Sequence, residues 1–146
     1  MQGIWLGQYW YDHNKRLPEI LTTRRTNFKL DIIFTETNKF SGNVEDDLNS
    51  GGTPGIGTIN GVIKNGSISF VKRMPIKSVI YTNGERRILN GRHPNIYYTG
   101  ILNKETQTLT GTSKFKFHIH WFGIIPIPLL PISGNWSARK SGSVLF

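Results

Sequence analysis

Lys114-Phe115-Lys116-Phe117-His118-Ile119-His120-Trp121 is the stretch that decides how this chain is read. Apolar and polar residues alternate through it without a break. Phe115, Phe117, Ile119 and Trp121 share one side, and Lys114, Lys116, His118 and His120 share the other. That period of two belongs to a β-strand; a helix would scatter the four apolar residues around its circumference. The stretch is expected to form one continuous strand, long enough to cross a sheet, with an apolar face and a basic face.

Working outward, the same alternation returns in segments separated by turn residues. Gly3 to Tyr11 puts Trp5, Gly7, Tyr9 and Tyr11 in phase, and Phe28 to Phe34 does the same for Phe28, Leu30, Ile32 and Phe34. Strands are also expected over Phe40 to Glu45, Gly55 to Lys64, Ser67 to Arg73, Ile96 to Leu102 and Ile132 to Lys140. Shorter ones are expected at Ser78 to Thr82 and Glu85 to Leu89. Asn38-Lys39, Asn65-Gly66 and Asn83-Gly84 read as turns, the last two as favoured two-residue hairpin turns because both residues tolerate positive φ. Asp46 to Pro54 is a polar loop, and Leu17 to Thr22 has at most a helical turn, interrupted by Pro18. The result is an all-β chain of about eight main strands, expected as an antiparallel up-and-down barrel, with a sandwich as the alternative. It forms a single domain over 1–146, with 141–146 as a C-terminal tail. Trp5 and Trp136, on the first and last strands, are expected to meet where the barrel closes.

Composition narrows the function classes. The 146 residues contain no cysteine, which excludes a disulfide framework, a thiolate zinc site and a catalytic thiol. No basic segment leads into an apolar run near Met1, and Trp121 to Ile132, the longest apolar stretch, is broken by three prolines and too short to span a bilayer. A cytoplasmic protein with no transmembrane segment is the expectation. Eighteen Lys and Arg against nine Asp and Glu give +9, spread as pairs rather than one run. An anionic partner is one reading and a solvated basic surface the other. Specific nucleic-acid binding is not expected, because the aromatics fall on the inward phase.

Seven segments carry a resemblance: Gly3-Ile4-Trp5-Leu6-Gly7, Phe40 to Asp47, Gly57 to Gly61, Ile68 to Lys72, His93 to Gly100, Leu109 to Thr112 and Gly134 to Arg139. The first resembles the Gly-x-Trp signature that opens calycin barrels, the lipocalin, fatty-acid-binding and avidin-like folds. Together they are similar to a group of bacterial proteins with lipocalin-like barrels. The resemblance implies a calycin-like architecture and transfers no activity, since these folds bind unrelated ligands. Lys114 to Pro131 departs from the pattern by lengthening a usually shorter connection.

Candidate sites follow from phase. Asp46 shares the inward phase of Phe40 and Val44, and Lys72 that of Ile68 and Phe70, so an acid and an amine are expected either inside the barrel or as an ion pair on its rim. Tyr9, Tyr98, Phe115, Phe117 and Trp121 complete the expected ligand-binding wall, and Tyr11 and Tyr81 could add hydroxyls. Inward glycines such as Gly42, Gly100 and Gly111 are expected to leave a modest cavity. His118 and His120, with His13 or His93, could ligate a metal, but Lys114 and Lys116 on the same face oppose a cation. No metal site, cofactor or catalytic residue is assigned. Ile124-Ile125-Pro126-Ile127-Pro128-Leu129-Leu130 is expected to be extended but outside any regular ladder, because of its prolines. It reads as a lid, a homo-oligomer contact, a membrane-surface contact or plain packing. The leading expectation is a barrel that binds a small apolar or amphipathic molecule. Against it stand a barrel enzyme of cyclase or isomerase type and an interaction module using the basic outer face. A deep cavity holding Asp46 and Lys72 would favour the enzyme; a filled core with the Ile124 segment uncovered would favour the module.

Overall fold

The computed structural model describes residues 1–12, 24–76, 78–80, 86–88, 93–115, 118–122, 124–129 and 133–142, with the backbone alone at 78–80, 86–87, 118–122 and 126–129. Its strands are β1 (Gly3–Tyr11), β2 (Thr26–Glu36), β3 (Lys39–Asp46), β4 (Ile56–Lys64), β5 (Ser67–Arg73), β6 (Ser78–Ile80), β7 (Arg86–Ile88), β8 (Ile96–Asn103), β9 (Thr108–Phe115), β10 (His118–Phe122), β11 (Ile125–Leu129) and β12 (Ser133–Lys140). Eight of them close an antiparallel up-and-down barrel in the order β1-β12-β9-β8-β5-β4-β3-β2. The sandwich alternative falls, because β1 pairs with β12 from Trp5↔Lys140 to Tyr11↔Gly134 while pairing with β2 on its other side.

Alternation sets what goes inside. Trp5 and Tyr9 on β1, Phe28, Leu30 and Ile32 on β2, Phe40 and Val44 on β3, and Ile68 and Phe70 on β5 are buried, as are Tyr98, Leu109 and Trp136. Their neighbours along each strand, such as Asn27, Lys29, Asn43, Thr58 and Asn60, are exposed. The outward positions are mixed, since Leu6, Ile33, Ile56, Val62 and Ile101 are exposed as well. Each large side chain so buried contributes roughly 1.5–3 kcal/mol. Trp5 and Trp136 are both fully buried, but the register places Trp136 opposite Tyr9 and Trp5 opposite Lys140. The two indoles therefore fill successive levels of the core rather than meeting. Trp136 packs edge-on against Phe70 (5.5 Å) and Tyr98 (5.6 Å), which stack on each other at 4.7 Å.

The barrel has two unlike ends. At one, tight turns at Thr37-Asn38, Asn65-Gly66 and Lys104–Gln107 join β2 to β3, β4 to β5 and β8 to β9. The first of these turns precedes Lys39, which already belongs to β3. At the other end, all the longer connections gather: 12–25, 47–55, 74–95 and 116–132. The connection at 74–95 holds β6 and β7, which pair only with each other, so β5 runs directly beside β8. The short strands expected there are thus outside the barrel.

In the connection after β9, the alternating stretch at 114–121 is described as the end of β9, in the barrel, and as β10, which pairs with β11; 116–117 between them lie outside the described residues. One expectation is corrected: Ile125–Leu129 is a regular strand despite its prolines, paired from Phe122↔Ile125 to His118↔Leu129. Pro126 and Pro128 are two apart and so fall on one side of the strand, opposite to the side by which Ile125, Ile127 and Leu129 pair, and among the described residues no strand pairs along the proline side. Lys114 faces Ser133, and His118, four residues on, faces Leu129, four residues back, so the two ladders share one register.

The inward glycines do not open space. A Cβ on Gly42 would lie 1.8 Å from the Asp31 carbonyl oxygen, and one on Gly111 would lie 1.8 Å from that of Thr99. One on Gly100 would meet the Trp136 ring at 2.9 Å. These glycines admit neighbouring backbone and an indole, and the volume they release is already occupied. The indole N–H of Trp136 uses that access to donate to the carbonyls of Thr99 (3.1 Å) and Thr112 (3.2 Å). Leu17 to Thr22, Tyr81, Asn83-Gly84 and Phe117 lie outside the described residues.

Gly111→Ala is expected to cost about 1–3 kcal/mol, because the added methyl must push the β8 backbone away. The exposed Thr110→Ala on the same strand should stay within about 0.5 kcal/mol. Equilibrium urea unfolding of the two variants checks this; equal stabilities would show that the glycine is not holding the strands close.

Candidate functional site at the loop-bearing end

The polar groups buried inside the barrel collect toward the loop-bearing end. Asp46 is the last residue of β3, Lys72 is the penultimate residue of β5, and Tyr9 lies near the end of β1. Their inward phase is that of Val44, Phe70 and Trp5, and all three are buried, Asp46 at 5% and Lys72 at 2% exposure. Lys72 Nζ donates to Asp46 Oδ1 at 2.7 Å. Tyr9 Oη donates to Asp46 Oδ2 at 3.1 Å, and the Thr53 amide donates to the same oxygen at 3.2 Å. Lys72 also sits over the Tyr9 ring, 5.0 Å from its centre. Among the described residues no buried side-chain polar atom lacks a partner.

An ion pair this deep is costly to desolvate and persists only where further hydrogen bonds complete it. Here the completing donor is a loop. The Thr53 amide ties 47–55 to the barrel interior, and the same loop is anchored to the start of β2: Thr26 Oγ1 donates to the Ser50 carbonyl (2.9 Å) and the Asn27 amide donates to Ser50 Oγ (2.9 Å). Asp47 caps the short 3-10 turn Leu48–Ser50 by accepting from the Asn49 amide at 3.1 Å. The Asp46–Lys72 pair is therefore interior rather than on the rim, and it holds a connection down over the barrel.

Around it stand Tyr98, Tyr11, Phe115 and His93. Burial pushes the Tyr98 phenol well above its ordinary range, and the Asp46 and then the Tyr11 charge push the same way. His93 is buried, its Nδ1–H donating to the Pro94 carbonyl at 2.8 Å, with its ring tilted against Phe115 at 5.9 Å. Of the expected wall residues, Tyr9, Asp46, Lys72, Tyr98 and Phe115 are thus brought to one end of the barrel. Phe117 and the side chain of Trp121 lie outside what is described, as do those of His118 and His120. The described residues form no cluster of three or more metal-ligating side chains. Arg25 lies over the Trp10 ring, 4.0 Å from its centre.

The expected cavity is absent where it was sought. The void bounded by Phe28, Leu30, Val44, Phe70, Lys72 and Tyr98 has a volume of about 0 Å³ for a water-sized molecule. Asp46 and Lys72 bind each other, and a guest could reach them only by displacing core side chains. Outside the barrel, the hairpin tip is uncovered: Ile124 is 92% exposed and Ile125 61%. Phase gave the sequence reading Asp46 and Lys72. Thr53 was missed because it acts through its backbone amide, which no side-chain pattern signals. The uncovered tip was legible only as an apolar run of unknown placement.

No protein-family model, curated protein or solved structure matches this chain.

Lys72→Met should cost about 3–5 kcal/mol by stranding the Asp46 carboxylate. Joining it with Asp46→Leu should cost much less than the sum of the two single changes, a coupling that a double-mutant cycle reads directly. Additive losses would mean that the pair is not coupled. The raised Tyr98 pKa gives a second expectation. The unfolded chain ionises its tyrosines near pH ~10 while the folded phenol stays neutral, so the stability linked to Tyr98 is intact below that pH and is lost as pH rises through the folded value. Tyr98→Phe should therefore lose less stability than the wild type between neutral pH and pH ~11 in urea titrations. Parallel curves would remove Tyr98 from the alkaline transition.

Proposed function

We propose that this chain is a non-enzymatic interaction module, with the filled barrel as scaffold and the loop-bearing end as the surface that meets an anionic partner. The observation that carries this reading is the pairing of a void beneath Lys72 that has about 0 Å³ for a water-sized molecule with a hairpin tip whose Ile124 is 92% exposed. Ile124 is the most exposed large apolar residue among those described, and Ile125 follows it directly.

Charge supports the same end. The connections 12–25, 47–55, 74–95 and 116–132 contain nine lysines and arginines against four acids, whereas the tight turns at the opposite end contain Lys104 and Glu105 alone. Acids on the barrel wall concentrate on β2 and β3, where Asp31, Glu36 and Glu45 lie, and Glu36 and Glu45 pair with Lys39 and Lys29. A surplus of basic residues in the connections of one end steers and retains anions, more strongly at low salt. The burial of Asp46 and Lys72 speaks against a barrel enzyme, since a substrate would have no path to them. A guest inside the barrel would need space that the described core does not provide.

Retention on immobilised heparin tests the module reading. Arg86→Glu/Arg87→Glu, in the 74–95 connection, should elute at clearly lower salt than the wild type. Lys64→Glu/Lys104→Glu carries the same charge change at the opposite end and should elute later than that variant. Equal shifts would mean that only net charge is being read, and the proposal would fall.

A further inference from the structure

We infer that two copies of this chain join through the outer edge of β10, making one four-stranded antiparallel sheet in the order β11-β10-β10-β11 about a two-fold axis. This goes beyond the interaction-module reading and does not depend on its anionic partner. The two edges of the β10–β11 sheet are unlike. Along an antiparallel strand the backbone groups point alternately to one neighbour and to the other. Pro126 and Pro128 have no N–H, so it is Ile125, Ile127 and Leu129 that bond to Phe122, His120 and His118. The backbone N–H and C=O groups of Ile119 and Trp121 therefore point away from β11. Among the described residues no strand pairs along that edge of β10. The outer edge of β11 offers only carbonyls at 126 and 128, whereas the outer edge of β10 offers both donors and acceptors.

An edge of that kind takes up another strand. A two-stranded hairpin is by itself marginal in water, and further strands stabilise it. β10 carries none of the devices that guard an edge. No proline or lysine lies in His118–Phe122, and its register with β11 runs without a bulge. Both prolines of the hairpin fall on β11. One edge is thus closed to strand addition and the other is left open.

Symmetry and charge make the added strand a second copy of β10. The strand has 5 residues, so a two-fold axis at His120 sets His118 opposite the second copy's Phe122 and Ile119 opposite its Trp121, with every residue paired. The outward groups at 119 and 121 then meet each other, giving mutually bonded pairs on both sides of the axis. Each outer edge of the resulting sheet is a β11 with its prolines, so addition stops at two copies. A foreign strand would bring an outer edge of its own, which the prolines of this chain could not close. Charge favours the same approach. Two chains of +9 repel each other, yet no Lys, Arg, Asp or Glu occurs from Phe117 to Ala138, the segment that holds both strands.

Sedimentation equilibrium of the unchanged chain, from micromolar to millimolar, should show the mass rise from one chain to two and no further. Added salt should strengthen the association, because it screens the +9 of each copy. Ile119→Pro removes an outward donor and leaves the β10–β11 bonds in place, and it should weaken dimerisation roughly tenfold or more. Pro126→Thr with Pro128→Thr returns donors to the outer edge of β11 and should carry assembly past two copies. The chain has no cysteine, so an introduced thiol reports one position. At the axis the two His120 Cα atoms would lie about 4.5 Å apart, within the roughly 4.4–6.8 Å that a disulfide spans. With oxidised glutathione as the two-electron acceptor, His120→Cys should link into a dimer as two molecules of reduced glutathione form. Lys104→Cys, in a tight turn at the opposite end, should not. The inference is overturned by a one-chain mass at every concentration, by a dimer that salt weakens or that Ile119→Pro leaves intact, or by equal cross-linking at 120 and 104. Assembly of the double proline variant that still stops at two copies would also overturn it, since the prolines would then not be what closes the sheet.

Discussion

The volume inside an eight-stranded barrel is the constraint on which everything else here depends. Closure of β1 on β12 fixes the circumference, and what the inward side chains leave over is all the space a ligand could have. In this chain the inward positions carry Trp5, Phe28, Phe40, Phe70, Tyr98 and Trp136, and they leave no room for water in the void beneath Lys72. Even the glycines are committed. Gly42 and Gly111 let neighbouring backbone approach, and Gly100 receives the edge of an indole. A barrel filled to this degree is a rigid mount for its connections.

The mount is polarised. Tight turns seal one end, while the other receives every long connection and the buried polar cluster. The Asp46–Lys72 pair explains how the two properties belong together. By accepting from Lys72, Tyr9 and the Thr53 amide at once, the Asp46 carboxylate fixes β1, β3, β5 and the 47–55 loop relative to one another. The cost of burying two charges is met by a geometry that no slipped register of β3 or β5 could reproduce, because a one-residue slip would turn both side chains outward. The same pair keeps a loop ordered at the end where the chain is longest and most basic.

Much of this was legible in the sequence, and the limits have physical causes. Period-two alternation located seven of the eight barrel strands and only the end of β9, and it gave Asp46 and Lys72 the inward phase without deciding between interior and rim, because the side-chain period of a strand is invariant. Alternation cannot say which strand lies next door. The stretch from Lys114 to Trp121 alternates throughout because one ribbon keeps its register from β9 into β10, and nothing in that pattern marks where the barrel ends. Glycine showed where side-chain volume is missing but not what takes its place. Proline was read as a ladder breaker, although Pro126 and Pro128, two apart, leave a complete set of donors on the paired side of β11. Strand phase was readable; partner choice and the contents of the core were not.

The central claim is that binding occurs on the loop-bearing end and leaves the barrel interior untouched. Backbone and indole NMR correlation spectra, recorded while a short heparin oligosaccharide is added, test it most directly. The account predicts the largest shifts at Ile124, Ile125 and the Arg86–Ile88 strand, with the Trp5 and Trp136 indoles and the amides of Ile59 and Leu109 unmoved. Shifts centred on Tyr9, Tyr98 and the Trp136 indole would place the ligand inside the barrel and contradict it.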